Sequence, residues 1–135
     1  MPTQYVWMPT GIPPRCKLQP YEKQRLKAVA DKFVEEFYKP TFIRPPPAKS
    51  LGNYVVDFST KWHGAYLQFI ARYACPGPNA ISPFFEIAFA RLGYFRPDRW
   101  SLWARRHNDQ WMDMGHQMTT EECFKEMREN PWFHV

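Results

Sequence analysis

The sequence predicts an α+β domain with two layers: an N-terminal helix, an antiparallel meander sheet of about five strands and a C-terminal helix. Three observations lead to this fold class. Apolar residues first recur at steps of three and four, which is typical of an amphipathic helix. They then alternate with polar residues at a period of two, as in half-buried strands. A helix-capping motif follows near the C-terminal end of the chain.

Composition excludes several classes of protein. The 135 residues are 44% hydrophobic and 18% aromatic, which is too apolar for a disordered chain. Because no stretch approaches the roughly 18 apolar residues of a membrane helix, we expect a soluble, cytoplasmic protein that does not bind a membrane. Cys16, Cys75 and Cys123 show no disulfide or zinc spacing, so reduced thiols and no metal or cofactor are expected.

The chain divides into a strap and a domain. Residues 1–18 are rich in proline and predict an extended strap, and residues 19–135 predict a single α+β domain. Pro20 suits the first position of a helix, and this helix is expected to end near Tyr38, because Pro40 disfavours helix at the preceding residue. The apolar stripe of the helix comprises Leu26, Val29, Ala30, Phe33 and Phe37.

Alternation and turn signals predict the strands. Four strands are expected at 54–59, 66–73, 84–90 and 99–105, with a short fifth strand around Trp111. The predicted turns are Trp62-His63-Gly64, Pro76-Gly77-Pro78-Asn79 and Arg96-Pro97-Asp98. In the third strand, the alternation places Phe85, Ile87 and Phe89 opposite Phe84, Glu86, Ala88 and Ala90. A meander of neighbouring antiparallel strands follows from these short connections.

The last helix has a clear beginning and end. Thr119 and Glu122 have the spacing of a capping box, in which each side chain accepts a hydrogen bond from a free backbone amide. Cys123, Phe124 and Met127 are expected to form its buried stripe, and Asn130-Pro131 to end the helix.

The face of the sheet away from the helices is predicted to be polar but too aromatic for an ordinary solvated surface, so function is expected there. Its predicted side chains are Asp57, Ser59, Gln68, Arg72, Glu86, Trp103 and Arg105. Asp57, Arg72 and Glu86 would share one side of three successive strands, where two carboxylates and an arginine could perform acid–base chemistry on an anion. The alternative is a cross-strand ladder of ion pairs, and we favour it.

A second group combines basic and aromatic residues, the combination by which proteins hold phosphates and stack bases. It comprises Arg105-Arg106-His107, with Arg91, Arg96 and Arg99 upstream, among Tyr94, Phe95, Trp100 and Trp103. Edge charges that prevent aggregation are the alternative. The turn at Trp62 and His63 is a further candidate, because loops often carry function, although a tight turn alone would explain its glycine.

The C-terminal third carries a resemblance. The run from Arg99 to Trp111, the segment from Thr119 to Met127 and the Asn130-Pro131 stop resemble a family of small bacterial proteins known only as a domain of unknown function. The resemblance implies a bacterial-type cytosolic protein with this sheet and closing helix. It implies no catalytic residue, because the family has no assigned activity.

Charge favours a binding function. Residues 1–108 carry a net charge of +9 and residues 109–135 a net charge of −4. We therefore expect a non-catalytic binding module for an acidic or nucleic-acid partner. One alternative is a structural subunit that forms a homo-oligomer or docks through its termini, and a lesser one is an enzyme using Asp57, Arg72 and Glu86. The candidate binding residues are Asp57, Arg72, Glu86, Trp103, Arg105, His107, Trp62 and His63.

Overall fold

The architecture is the predicted α+β fold, with helices on one face of a five-stranded antiparallel sheet. The computed structural model describes residues 18–45, 52–77, 80–105 and 109–135. The predicted strap therefore lies outside the described residues, apart from Leu18, which packs against the core.

The first helix, α1, spans Pro20–Phe33 and begins where the sequence predicts. Proline occupies its first turn, where a missing N–H costs nothing, and Glu22 accepts a hydrogen bond from the backbone of Gln19 at 3.2 Å. Leu26 and Phe33 are buried against the sheet, as the apolar stripe predicts. Val29, at the margin of this stripe, is 41% exposed.

The prediction that this helix ends near Tyr38 is wrong. A π-helical turn at Val34–Tyr38 continues α1 and leads into a short helix, α2, at Lys39–Phe42. The amide of Lys39 donates to the oxygen of Val34, five residues back, so the wider turn accommodates Pro40 without breaking the helix. Complete burial of the Tyr38 side chain stabilises this irregular turn.

The five strands lie in the sheet in chain order. They are β1 (Tyr54–His63), β2 (Tyr66–Ala74), β3 (Phe84–Arg96), β4 (Arg99–Arg105) and β5 (Trp111–Met118). Several are longer than predicted, and the first hairpin turns at Gly64 and Ala65 rather than at Trp62 and His63. Gly64 has a φ of 62°, a left-handed conformation that glycine adopts without strain.

A β-bulge interrupts the predicted alternation of β3. Phe69 of β2 pairs with Ala90, but the next residue, Ile70, pairs with Ala88, which leaves Phe89 as the extra residue. Phe89 and Ala90 are consequently both buried, whereas the alternation placed them on opposite faces. Residues that follow the bulge point to the face opposite to the one predicted from the start of the strand.

The last helix, α3, spans Thr120–Glu129 and has the predicted capping box at Thr119 and Glu122. A short 3-10 turn, Pro131–Phe133, follows. Phe133 is fully buried in the core, and its backbone oxygen accepts a hydrogen bond from the hydroxyl of Tyr38 at 3.0 Å. The C-terminal turn thus joins the helical layer. Among the described helices, none is both long and apolar enough to cross a membrane.

The core fills the space between the helices and one face of the sheet. The Phe33 ring of α1 stacks on the Phe124 ring of α3, with centroids 4.4 Å apart. Leu67, Phe69 and Leu102 are fully buried beneath the helices. This covered side of the sheet is the helix face. The opposite side, which no described helix covers, is the open face.

Candidate binding site on the open sheet face

The register of the strands sets the rows of side chains on the open face. Gln68 of β2 pairs with Arg91 of β3, Arg91 pairs with Trp103 of β4, and Trp103 pairs with Asp113 of β5. Residues paired across antiparallel strands point to the same face of a sheet. Gln68 lies between the buried Leu67 and Phe69, so this row faces away from the helices.

Arg91 lies at the centre of a set of aromatic rings on this face. Its guanidinium carbon is 4.2 Å from the ring centroid of Tyr66, 4.4 Å from that of Trp111 and 4.9 Å from that of Trp103. These rings come from three different strands, and Arg105 lies 5.9 Å from the Trp111 ring. We call Tyr66, Arg91, Trp103, Arg105 and Trp111 the arginine–aromatic cluster.

Gly93 provides the space in which the Tyr66 ring lies. The two residues are paired between β2 and β3, and Gly93 is buried although it is on the open face. A Cβ atom at this position would be 2.8 Å from Cε1 of Tyr66, closer than real contacts allow. The absent side chain therefore lets the tyrosine ring lie flat over β3 and reach Arg91.

The charge of Arg91 is not matched by a carboxylate. No salt bridge or hydrogen bond joins its guanidinium to another of the described residues. Burial among the rings lowers the pKa of Arg91 from its ordinary value, but an arginine remains charged at neutral pH. Its Nε is buried without a partner, as are Nε of Arg105 and Nε1 of Trp103. The cluster thus concentrates N–H donors without acceptors.

The guanidinium of Arg105 has more hydrogen-bond and ion-pair partners than that of Arg91. Its Nη2 lies 3.1 Å from a carboxylate oxygen of Asp109, and its Nη1 lies 3.5 Å from the backbone oxygen of Ala88, at the limit of a hydrogen bond. Asp109 itself is exposed and has a φ of 65°. Arg105 is therefore a peripheral member of the cluster, whereas Arg91 forms its centre.

A chain of hydrogen bonds borders the cluster on the β4–β5 side. Oγ of Ser101 lies 3.2 Å from Nδ1 of His116, and Nε2 of His116 lies 2.5 Å from a carboxylate oxygen of Asp113. Serine, histidine and aspartate occur in this order in hydrolases, but the histidine and aspartate side chains here are 57% and 42% exposed. Such relays act in sites that exclude water, so we assign these residues to the rim of the cluster. The described His, Cys, Asp and Glu side chains form no group of three that could hold a metal ion.

The register brings Asp57, Arg72 and Glu86 together, as predicted. Arg72 of β2 is paired with Asp57 on one side and with Glu86 on the other. The Asp57 carboxylate nevertheless lies 3.4 Å from Nζ of Lys39, and Arg72 instead lies over the ring of Phe84 at 4.5 Å. The three residues therefore share one row, but the described contacts include no ion pair between them, so the favoured prediction of a cross-strand ladder of ion pairs is wrong.

The remaining candidates do not join the cluster. Trp62 is on the helix face, where its Nε1 donates to the backbone oxygen of Lys23 at 3.3 Å and its ring lies near that of Trp100. Its position in β1 rather than in the turn explains this placement. His63 is exposed at the end of the same strand. His107 lies outside the described residues.

Of the residues predicted for the site, Trp103 and Arg105 are in the cluster. The central residue, Arg91, was predicted only as one of the upstream basic residues, because strict alternation from Phe85 assigns it to the apolar face. The Phe89 bulge reverses that assignment. The sequence signal that could have revealed the bulge is a pair of consecutive apolar residues, Phe89 and Ala90, after which the alternation resumes. The contributions of Tyr66 and Trp111 depend on strand order, which the sequence does not state.

Comparison with known proteins identifies a family but no activity. A family model described as a domain of unknown function, DUF3024, matches residues 18–134. The similarity therefore extends over the whole described domain rather than over the C-terminal third alone. No curated protein and no solved structure matches the chain.

Proposed function

The chain belongs to this family, whose description assigns no function, and we propose that it is a non-catalytic binding module whose open face binds single-stranded nucleic acid. The observation that carries the proposal is the Arg91 guanidinium, held among three aromatic rings without a carboxylate partner among the described residues. Such an arrangement holds a positive charge in place for an anion supplied by a ligand.

The arginine supplies the phosphate contact. Its planar guanidinium presents N–H groups in a fork that matches two phosphate oxygens. Nε of Arg91 is buried without a partner, whereas the terminal nitrogens, which bond to no described residue, are not completely buried. The surrounding rings fix the orientation of the side chain before a ligand arrives, which lowers the entropy lost on binding.

The rings supply the base contacts. Tyr66, Trp103 and Trp111 are each partly exposed, and bases stack on such rings irrespective of sequence. An acidic protein would satisfy Arg91 equally well but would leave these flat aromatic surfaces without a matching group. The combination of rings and an unpaired arginine therefore favours nucleic acid. A duplex hides its bases within the stack, so a single strand is the better ligand.

The alternatives use residues that have other contacts. In the docking alternative, the C-terminal end would bind another chain, but Phe133 is buried in this chain's own core, which leaves Trp132 and Val135 as the exposed large hydrophobic residues of this end. In the enzyme alternative, Asp57 and Glu86 would act together, but they lie two strand spacings apart, about 10 Å, on either side of Arg72. The open-face proposal requires neither arrangement.

The proposal is tested by titrating a fluorescently labelled single-stranded oligonucleotide with the protein at several salt concentrations. We expect the affinity to fall about tenfold between about 50 and 200 mM salt, because bound phosphates release counterions. Arg91→Ala should weaken binding at least about tenfold and reduce the salt slope by about 0.7, the value for one lost phosphate contact on a single strand.

Lys125→Ala is the matched control. It removes the same unit of charge from an exposed position on α3, away from the open face, and should change the affinity less than about twofold. Absent or salt-independent binding by the unaltered protein would contradict the proposal. So would equal losses in the Arg91 and Lys125 variants, because they would indicate attraction by net charge alone.

A further inference from the structure

We infer that Arg72 and Phe84 form a second binding station on the open face, so that the ligand is a strand of several nucleotides that bridges two stations. This inference rests on the proposed function and specifies its ligand. The first station is the arginine–aromatic cluster around Arg91. The second is the corner of the sheet where β2 ends and β3 begins.

The second station repeats the chemistry of the first on a smaller scale. The guanidinium carbon of Arg72 lies 4.5 Å from the centroid of the Phe84 ring. Phe84 is 42% exposed, an unusual exposure for a phenylalanine in a strand, and its ring is available for stacking. A shallow hollow of about 570 Å³ adjoins the two side chains and is lined by Arg72, Ser82, Pro83, Phe84, Phe85 and Glu86.

The charge of Arg72 is available to a ligand. Its two register neighbours are the carboxylates Asp57 and Glu86, yet no described carboxylate lies within 4 Å of its guanidinium. Asp57 instead pairs with Lys39 at 3.4 Å. Arg72 is exposed, so water rather than a protein group solvates its charge.

The two stations lie on one face with a flat surface between them. Gln68 and Arg72 are four residues apart on β2, and Arg91 of β3 is paired with Gln68, so the Cα atoms of the two arginines are about 14 Å apart. Ile70 and Ala88, which are paired with each other, lie between them, and Nη1 of Arg105 lies 3.5 Å from the backbone oxygen of Ala88, so the charge of Arg105 borders this interval. A strand of several nucleotides is long enough to contact both arginines.

Glu86 suggests a different role for each station. Its carboxylate, beside Arg72, repels a phosphate but accepts hydrogen bonds from the amino groups of bases. Arg91 has no such neighbour among the described carboxylates. The second station therefore suits a base stacked on Phe84 and Arg72, and the first suits a phosphate with its adjoining bases.

The experiment compares two ligand lengths. The ligands are deoxycytidine dinucleotide and an oligodeoxycytidylate of about twelve nucleotides, whose bases carry the amino group that Glu86 would accept from and whose length lies within the range of site sizes of single-strand-binding folds. Binding is followed by quenching of the intrinsic tryptophan fluorescence. Arg72→Ala should weaken binding of the long strand about tenfold and that of the dinucleotide less than about twofold, because the dinucleotide reaches only the Arg91 station. Arg91→Ala should weaken both.

Two further variants define the result. Phe84→Ala should reproduce the length-dependent loss of Arg72→Ala, and Lys125→Ala, the distant charge control, should affect neither ligand. If Arg72→Ala weakens both lengths equally or neither of them, the second station is wrong although the proposed function stands. If the unaltered protein binds no single strand of either length, the proposed function fails and this inference fails with it.

Discussion

Tyr38 is a buried tyrosine whose hydroxyl group joins the first helical segment to the C-terminal turn. Its side chain has no exposed surface, and its hydroxyl donates to the backbone oxygen of Phe133. Burial raises the pKa of Tyr38 far above its usual value, because the charged phenolate would lose its hydration. The same cause raises the pKa of the buried Cys123 thiol to about 12.

These raised pKa values predict a loss of stability at alkaline pH. In the unfolded chain Tyr38 ionises near pH 10, whereas in the folded protein it stays protonated, so its contribution is complete below about pH 10 and is lost above it. Tyr38→Phe should therefore lose less stability than the unaltered protein between about pH 7 and pH 11. Its lost hydrogen bond should cost about 1 kcal/mol at neutral pH.

Urea denaturation at the two pH values measures this difference. Tyr21→Phe is the matched control, because it removes the same hydroxyl group from a tyrosine that is 64% exposed. If Tyr38→Phe and the unaltered protein lose the same free energy of unfolding at alkaline pH, Tyr38 is not the residue responsible.

At the scale of elements, the sequence predicted the beginnings of the helices better than their ends. Pro20 and the Thr119 capping box act through local hydrogen bonds, which a short stretch of sequence specifies. The first helix passes Pro40 because Tyr38, buried by residues distant in sequence, stabilises a π-helical turn. The helix propensities of neighbouring residues do not include the energy of packing against residues distant in sequence.

Among the strands, too, the features that local sequence specifies were predicted and an irregularity was not. The antiparallel meander followed from alternation and short turns, whereas the row of Asp57, Arg72 and Glu86 was predicted only on the condition that their strands are neighbours, which they are. The bulge at Phe89 did not, because it adds a residue to one strand without changing the composition. The bulge moves Arg91 to the open face. The alternation of apolar and polar residues therefore could not predict the central residue of the candidate site.

Gly93 gives a prediction for the packing between β2 and β3. Gly93→Ala places a Cβ within 3.0 Å of the Tyr66 ring, so the ring must leave its position over Arg91. The glycine has no left-handed φ, so the backbone accepts alanine, and the melting temperature should change little. The affinity for a single strand should fall about two- to thirtyfold, since a cation–π contact contributes about 0.5–2 kcal/mol.

Thermal unfolding and the oligonucleotide titration together measure this effect. The control is Gly52→Ala, at a position where a Cβ would meet no atom within 4 Å. Unchanged affinity in a folded Gly93→Ala protein would show that the Tyr66 ring does not contribute to the binding surface.

At the scale of the whole molecule, charge placement matters more than net charge. The described residues contain 14 of the 18 lysines and arginines and all 13 carboxylates, so they carry little of the net charge of +5. The five strands nevertheless hold six basic residues and three acidic ones, whereas α1, the π-helical turn, α2 and α3 together hold seven and eight. The sheet is therefore the more positive layer, and its open face is where an anion would be attracted.

The two faces of the sheet divide stability from binding, and adjacent residues of β4 test this division. Leu102 is fully buried on the helix face, and Trp103 is part of the arginine–aromatic cluster on the open face. Leu102→Ala should lower the free energy of unfolding by about 2–5 kcal/mol, because it leaves a cavity in the core. Trp103→Ala should cost less stability and weaken single-strand binding about tenfold, since the lost stacking contributes about 1–3 kcal/mol.

Urea denaturation and oligonucleotide titration of both variants provide the comparison, with Leu102→Val as a milder core change if Leu102→Ala does not fold. The affinity of the folded Leu102 variant should remain within about twofold of that of the unaltered protein, because no ligand contact is removed. A Trp103→Ala protein that loses as much stability as Leu102→Ala but keeps its affinity would show that the cluster stabilises the sheet instead. In that case the unpaired charge of Arg91 would be an energetic cost of packing the rings on the sheet. The composition of the open face would then need an explanation other than single-strand binding.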